Sequence, residues 1–125
     1  MNCSFYQVDV FTKIPFGGNP LAVVFDTEGL TDQNMLNIVK EMNLSETTFV
    51  LPPGNLPVDF LVRIFTPEKE LPFAGHPTLG TAHILRETGK VLSGDYRIKL
   101  AMKAGVITVA QEKKEDLLFM DQLLP

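Results

Sequence analysis

Hydrophobic residues recur at every second position in several stretches of the chain, the period of a β-strand. From Ser4 to Phe11, Tyr6, Val8 and Val10 alternate with Phe5, Gln7, Asp9 and Phe11. Apolar groups on both sides predict a strand with one face fully buried. Leu21 to Phe25 reads as a buried strand, and Thr47 to Leu51 as another, ended by the turn Pro52-Pro53-Gly54. Val58 to Thr66 places Phe60, Val62 and Ile64 on one face and Asp59, Leu61, Arg63 and Phe65 on the other. Tyr96 to Met102 and Val106 to Gln111 predict two more strands joined through Ala104-Gly105, with Ile98, Leu100 and Met102 forming the half-buried face.

Two stretches carry the helical period instead. Thr31 is a predicted N-cap, Met35, Ile38, Val39 and Met42 share one face, and Asn43 is the predicted stop. The second helix is predicted from Pro77, a residue favoured at the first helical position, to a left-handed cap at Gly89. Leu79, Ala82, Ile84 and Leu85, with Gly80 and Thr81 between them, leave only Arg86 and Glu87 for water. A helix apolar nearly all round belongs in the interior. Pro67, Pro72 and Pro77 keep the intervening chain non-helical. Pro15-Phe16-Gly17-Gly18-Asn19-Pro20 and Pro72-Phe73-Ala74-Gly75-His76-Pro77 agree at four of six positions. They predict two loops built alike, as two walls of one site, and not a solenoid repeat.

Composition narrows the class. With 125 residues the chain has the length of one domain, and 45% hydrophobic with 21% charged residues excludes a disordered chain. Eleven basic against fifteen acidic residues give a net charge of −4, so no basic field is available for nucleic acid. A local site can still attract a small anion. The single cysteine, Cys3, makes neither an internal disulfide nor a zinc site. It suits a reducing compartment, has no histidine near it in sequence, and is set aside as a nucleophile. No apolar run approaches the ~20 residues that span a bilayer, and nothing resembles an export signal. The expectation is a soluble cytoplasmic protein without nucleic-acid or membrane partners.

The candidate chemistry lies in short segments. Gly75-His76-Pro77-Thr78 opens the second helix, where unpaired N–H groups and the helix dipole suit a carboxylate or another anion. The plainer reading of these residues is a tight turn capped by His76. Ser45 and Glu46 lie where the chain turns from helix to strand, and a glutamate withdrawn from water can act as both acid and base. Most glutamates are simply solvated. Asn19 offers an amide that donates and accepts, although such residues commonly cap turns. His83, seven residues after His76, reads as an interior hydrogen-bonded histidine, and the pair lacks the i, i+4 spacing of a helical metal site. No phosphate loop, dinucleotide fingerprint or serine elbow is present, so no cofactor and no metal are expected.

Several segments in fixed order add to this reading: Asp9-Val10-Phe11, the run from Pro15 to Val24, Met42-Asn43-Leu44-Ser45-Glu46-Thr47, Arg63-Ile64-Phe65-Thr66-Pro67, and the run from Glu70 to Gly80. Together they resemble the PhzF-like phenazine-biosynthesis isomerase family, over about Phe5 to Met120. The resemblance implies an α+β fold of the diaminopimelate epimerase kind: a mixed, mostly antiparallel, β-barrel-like sheet wrapped around a central helix. Such enzymes have two similar lobes with the active site between them, so residues 1–125 are expected to be a single N-terminal lobe, with the second lobe absent from this chain. The resemblance also implies that Glu46 shuttles the proton, with Asn19, Ser45, Gly75, His76 and Thr78 around the substrate. The related epimerases use two cysteines, one near the position of Ala74, and alanine there argues against thiol chemistry.

The expected activity is that of a cofactor-independent isomerase lobe shifting a proton within a small anionic cyclic acid of the dihydro-hydroxyanthranilate type. The alternative is an inactive half-length homologue serving as a small-molecule binding or protein-interaction module. A lone lobe is expected to pair with a second lobe or a second copy of the chain, as a dimer.

Overall fold

Local rules place the first helix. The computed structural model describes residues 4–10, 19–72, 74–88, 97–111 and 118–120. In it, α1 (Asp32–Met42) starts at Thr31, whose hydroxyl accepts the Asn34 N–H at 3.1 Å while Asn34 Oδ1 accepts the Thr31 N–H at 3.1 Å. This reciprocal capping satisfies two orphan donors. Asn43 ends the helix in the left-handed conformation, φ 51°, which Asn tolerates better than most residues.

The strands follow the alternation closely. They are β1 (Phe5–Val10), β2 (Asn19–Val24), β3 (Glu46–Leu51), β4 (Phe60–Phe65), β5 (Glu70–Leu71), β6 (Arg97–Met102), β7 (Gly105–Gln111) and β8 (Leu118–Met120). They form one sheet in the order β1-β2-β3-β4-β6-β7-β8, with β5 beside β4. Two pairs are parallel, β2–β3 and β4–β6; the others are antiparallel. Asp59 extends the β4–β6 junction, its N–H donating to Lys99 O at 2.9 Å and its Oδ2 accepting the Lys99 N–H at 2.7 Å. The β6–β7 hairpin turns at Lys103-Ala104, with Met102 opposite Gly105, one residue earlier than expected. The short strands β5 and β8 have too few residues for a periodic signal.

Helix α2 (Gly75–Glu87) lies on one face of this sheet. Leu79, Ala82, Ile84 and Leu85 pack with Leu21, Val23, Val50, Val62, Ile64, Ile98 and Leu100 in the main core. Each fully buried large side chain contributes about 1.5–3 kcal/mol. The other face is covered by α1, where Met35 and Val39 meet Val24, Phe49 and Phe65. The Phe49 and Phe65 rings meet edge to face at 5.4 Å. Thus β3 is covered on both sides, and Thr47, Thr48 and Phe49 are completely buried.

Several expectations need correction. Among the described residues the sheet is not closed into a barrel: β1 and β8 end the strand order unpaired with each other, although α2 touches both and the strands curl around it. Strand β1 does not have a fully buried face in its described side chains, because Phe5, Tyr6 and Gln7 are all exposed at the sheet edge. Helix α2 begins at Gly75, which makes Pro77 its third residue; Pro77 still lacks only an N–H that would find no partner within the helix. Its C-cap is Thr88 with φ −90°, and Gly89 lies outside the described residues. His83 is exposed, not interior, since it shares an outward face with Glu87 four residues on.

Candidate active site

Strand β3 begins at Glu46, immediately after the exposed Ser45. The side chains of a strand alternate between faces. Thr48 and Val50 point to the α2 side, Thr48 through a 2.8 Å bond between its hydroxyl and that of Thr81 and Val50 through the main core. Glu46 starts the same row and is partly buried. It therefore belongs to the face that α2 covers. Its parallel partner in register is Leu21 on β2. Asn19, the first residue of β2, stands at the same end of this parallel pair, so the fold gathers Asn19, Ser45 and Glu46 at one place.

The first turn of α2 forms the second group. Ala74 is its N-cap, in extended conformation, and has no side chain able to cap. The Thr78 N–H is directed to Ala74 O at 3.3 Å, and Pro77 has none, so the helix-start donors without an intrahelical acceptor are those of Gly75 and His76. Thr78 is fully buried; its hydroxyl donates to Ala74 O at 2.7 Å and approaches Met102 Sδ at 3.7 Å. Thr78 thus shapes this turn from the core side, with its hydroxyl proton already used. The echoing segment 15–20 lies outside the described residues except for Asn19 and Pro20, both within β2.

Motif spacing did not reveal a charged cluster on the sheet face that α1 covers. The Arg63 guanidinium grips the Glu70 carboxylate with both Nε (2.9 Å) and Nη2 (2.8 Å), and its Nη1 reaches Asp32 at 2.8 Å. Lys103 Nζ lies 2.8 Å from the same Glu70. The Glu70 side chain is only 12% exposed. The Arg63 hydrogen bond holds its carboxyl below the usual range, opposed by burial and assisted by Lys103. Arg63 also lies over the Phe65 ring at 5.3 Å and is held further towards its charged form, first by Glu70. The alternating positions Arg63 and Phe65 on one strand face were the available signal, but Glu70 and Lys103 are joined to them only by the fold. Among the described residues, buried groups without a hydrogen-bond partner are the Thr47 hydroxyl, beside Glu46, and Nε and Nη2 of Arg86. No group of three or more metal-ligating side chains occurs among the described residues. No described helix is long and apolar enough to cross a membrane.

Comparison with known proteins gives the family. The family model of phenazine biosynthesis-like proteins, PhzC-PhzF, matches residues 8–122. The chain belongs to this family. It is 45% identical over 121 residues to trans-2,3-dihydro-3-hydroxyanthranilate isomerase of Pseudomonas fluorescens, covering 94% of this chain and 42% of that protein. It is 46% identical over 115 residues to antisense-enhancing sequence 1 of Schizosaccharomyces pombe, covering 90% of this chain and 39% of that protein. Among solved structures, the PhzF-family phenazine biosynthesis protein of Bacillus anthracis matches with a TM-score of 0.82 and 32% identity, covering 96% of this chain and 40% of that one. The chain thus spans about two-fifths of these relatives' length. The relatives' names differ at nearly equal identity, so the likeness establishes the family and leaves the activity to the site.

Proposed function

We propose that this PhzF-family chain is the lobe of a cofactor-independent isomerase that moves a proton between carbons of a small cyclic carboxylic acid. A dihydro-hydroxyanthranilate is the model substrate, after the Pseudomonas fluorescens relative. The observation that carries the proposal is the place of Glu46: partly buried, at the head of a parallel strand, on the face that α2 covers. Its carboxylate takes a proton from one ring carbon, and the electron pair left behind forms a new double bond to the neighbouring carbon. The old double bond's π pair shifts to the far carbon, and that carbon takes the proton back from the resulting carboxylic acid. Atoms and electrons balance without an oxidant. The Gly75 and His76 N–H groups at the start of α2 receive the substrate carboxylate, where the dipole favours negative charge. Asn19 and Ser45 flank Glu46, and Thr78 supports the wall from beneath. The second lobe, or a second copy of the chain, closes the site against water.

The test compares this chain, a version extended to the length of its relatives, and the extended Glu46→Gln variant on one dihydro-hydroxyanthranilate. Glutamine keeps the size but cannot carry the proton, and a positioned acid–base is worth ~10²–10⁴-fold, so the variant should bind yet turn over at least about a hundredfold more slowly. Normal turnover by the extended variant overturns the role of Glu46. A relative of nearly equal likeness whose name is not that of an isomerase supports one second reading, a binding or interaction module without catalysis. An extended protein inert on every cyclic acid offered would favour that reading.

A further inference from the structure

The segment that delivers Gly75 and His76 is held by very little backbone pairing. Strand β5 has two residues, Glu70 and Leu71, paired with Phe65 and Ile64 of β4. So short a ladder is weak by itself. Among the described residues, side chains and one backbone bond from the β6–β7 turn supply the rest. Glu70 receives the Arg63 fork and the Lys103 ammonium on one carboxylate. Next door, the Ala104 N–H donates to Pro72 O at 3.1 Å. Met102, on the same hairpin, meets the Thr78 hydroxyl. The residues of this stretch at 70, 72 and 78 are thus each tied to β4 or to the β6–β7 hairpin. Of these ties, the one at Glu70 alone is charged and two-pronged, and a carboxylate 12% exposed has little water to replace it.

We infer that Glu70 is a positioning residue, which, clamped between Arg63 and Lys103, fixes the approach to α2 and so sets where the Gly75 and His76 N–H groups stand. The inference rests on the proposed substrate-binding role of that helix start. It assigns to Glu70 no contact with substrate. Misplacing binding groups by about 1 Å can cost ~10²-fold in rate, so a clamp of this kind acts on affinity from a distance. Lysine at position 63 would keep the charge but lose the planar fork.

Two readouts of the intact chain test the clamp, and one needs no ligand. Hydrogen exchange at the Ala104 amide reports whether Pro72 remains docked. Glu70→Gln should speed that exchange at least about tenfold while the central amides of Val50 and Val62 keep their protection. Lys103→Met, at a side chain 60% exposed, should keep the fold and give a smaller effect in the same direction. Asp32→Asn, which removes the 81% exposed partner of Arg63, should change little. The second readout is titration with benzoate, a small cyclic carboxylate, followed at the Gly75 and His76 amides. Glu70→Gln should weaken this response about tenfold, and Glu70→Asp should restore part of it. Unchanged Ala104 exchange in both Glu70→Gln and Lys103→Met overturns the clamp. Faster exchange with undiminished benzoate affinity overturns its positioning role. If the unsubstituted chain ignores benzoate, the proposed binding role of the helix start fails, and the clamp is then decided by Ala104 exchange alone.

Discussion

Thr48 and Thr81 share a 2.8 Å hydrogen bond between strand β3 and helix α2, and both side chains are 0% exposed. Substituting either one by valine keeps the shape but strands the other hydroxyl away from water. An unsatisfied buried polar group costs about 1–3 kcal/mol, whereas replacing both partners with apolar groups of the same shape can be nearly neutral. Each single variant, Thr48→Val or Thr81→Val, should therefore lose roughly 1.5 kcal/mol. The double variant should regain most of that, with a coupling of about 1–3 kcal/mol. Urea unfolding measures the difference. With a slope of about 1.5 kcal/mol/M, within the range for small proteins, each single variant should unfold near 1 M less urea. The double variant should stay within about 0.5 M of the parent on the same scale. A double variant that loses the sum of the two singles would show that the hydroxyls act independently, and the claim that this bond couples the strand bearing Glu46 to the helix would be wrong.

Leu85→Ala, at a fully buried position of α2, should cost about 2–5 kcal/mol, while His83→Ala on the outward face should stay within about 0.5 kcal/mol; equal effects in urea unfolding would contradict the orientation of the helix. The Glu70 carboxyl, facing Arg63 from β4 and Lys103 from the hairpin, with Asp32 of α1 on the far side of Arg63, is held below its ordinary value. Its stabilising contribution is thus present above the unfolded-state value of about 4.3 and is lost as pH falls through the lower folded value. The stability gap between the parent and Glu70→Gln should be constant from pH 7 to about 5 and narrow below about pH 4; a gap that persists or widens in acid would refute this.

How much of this was legible beforehand depends on the range of the interactions involved. Thr31 and Asn43 were read correctly as the ends of α1 because capping and left-handed backbone are decided by residues within a few positions. Ile98 and Leu100 alternate with exposed Arg97 and Lys99, and burial of α2 followed from its nearly unbroken apolar circumference. The motifs around Ser45-Glu46 and Gly75-His76 are contiguous in sequence, so the family could be recognised before any coordinates. The tertiary structure alone decided the rest. His83 faces outward because a helix with one flank free of the sheet exposes whichever residue stands there, a fact set by α2's orientation and not by its composition. That β1 and β8 end the sheet unpaired among the described residues is a matter of long-range strand order, for which the sequence carries no period. Arg63, Glu70 and Lys103 come from β4, β5 and a hairpin turn, and nothing local announces that they will share one carboxylate. Thr78, read as a substrate contact, donates its hydroxyl proton to Ala74 O one turn back, and only the fold brings Met102 against the same hydroxyl. The sequence by itself determined most of the elements and the family; which neighbour each residue meets depended on long-range packing.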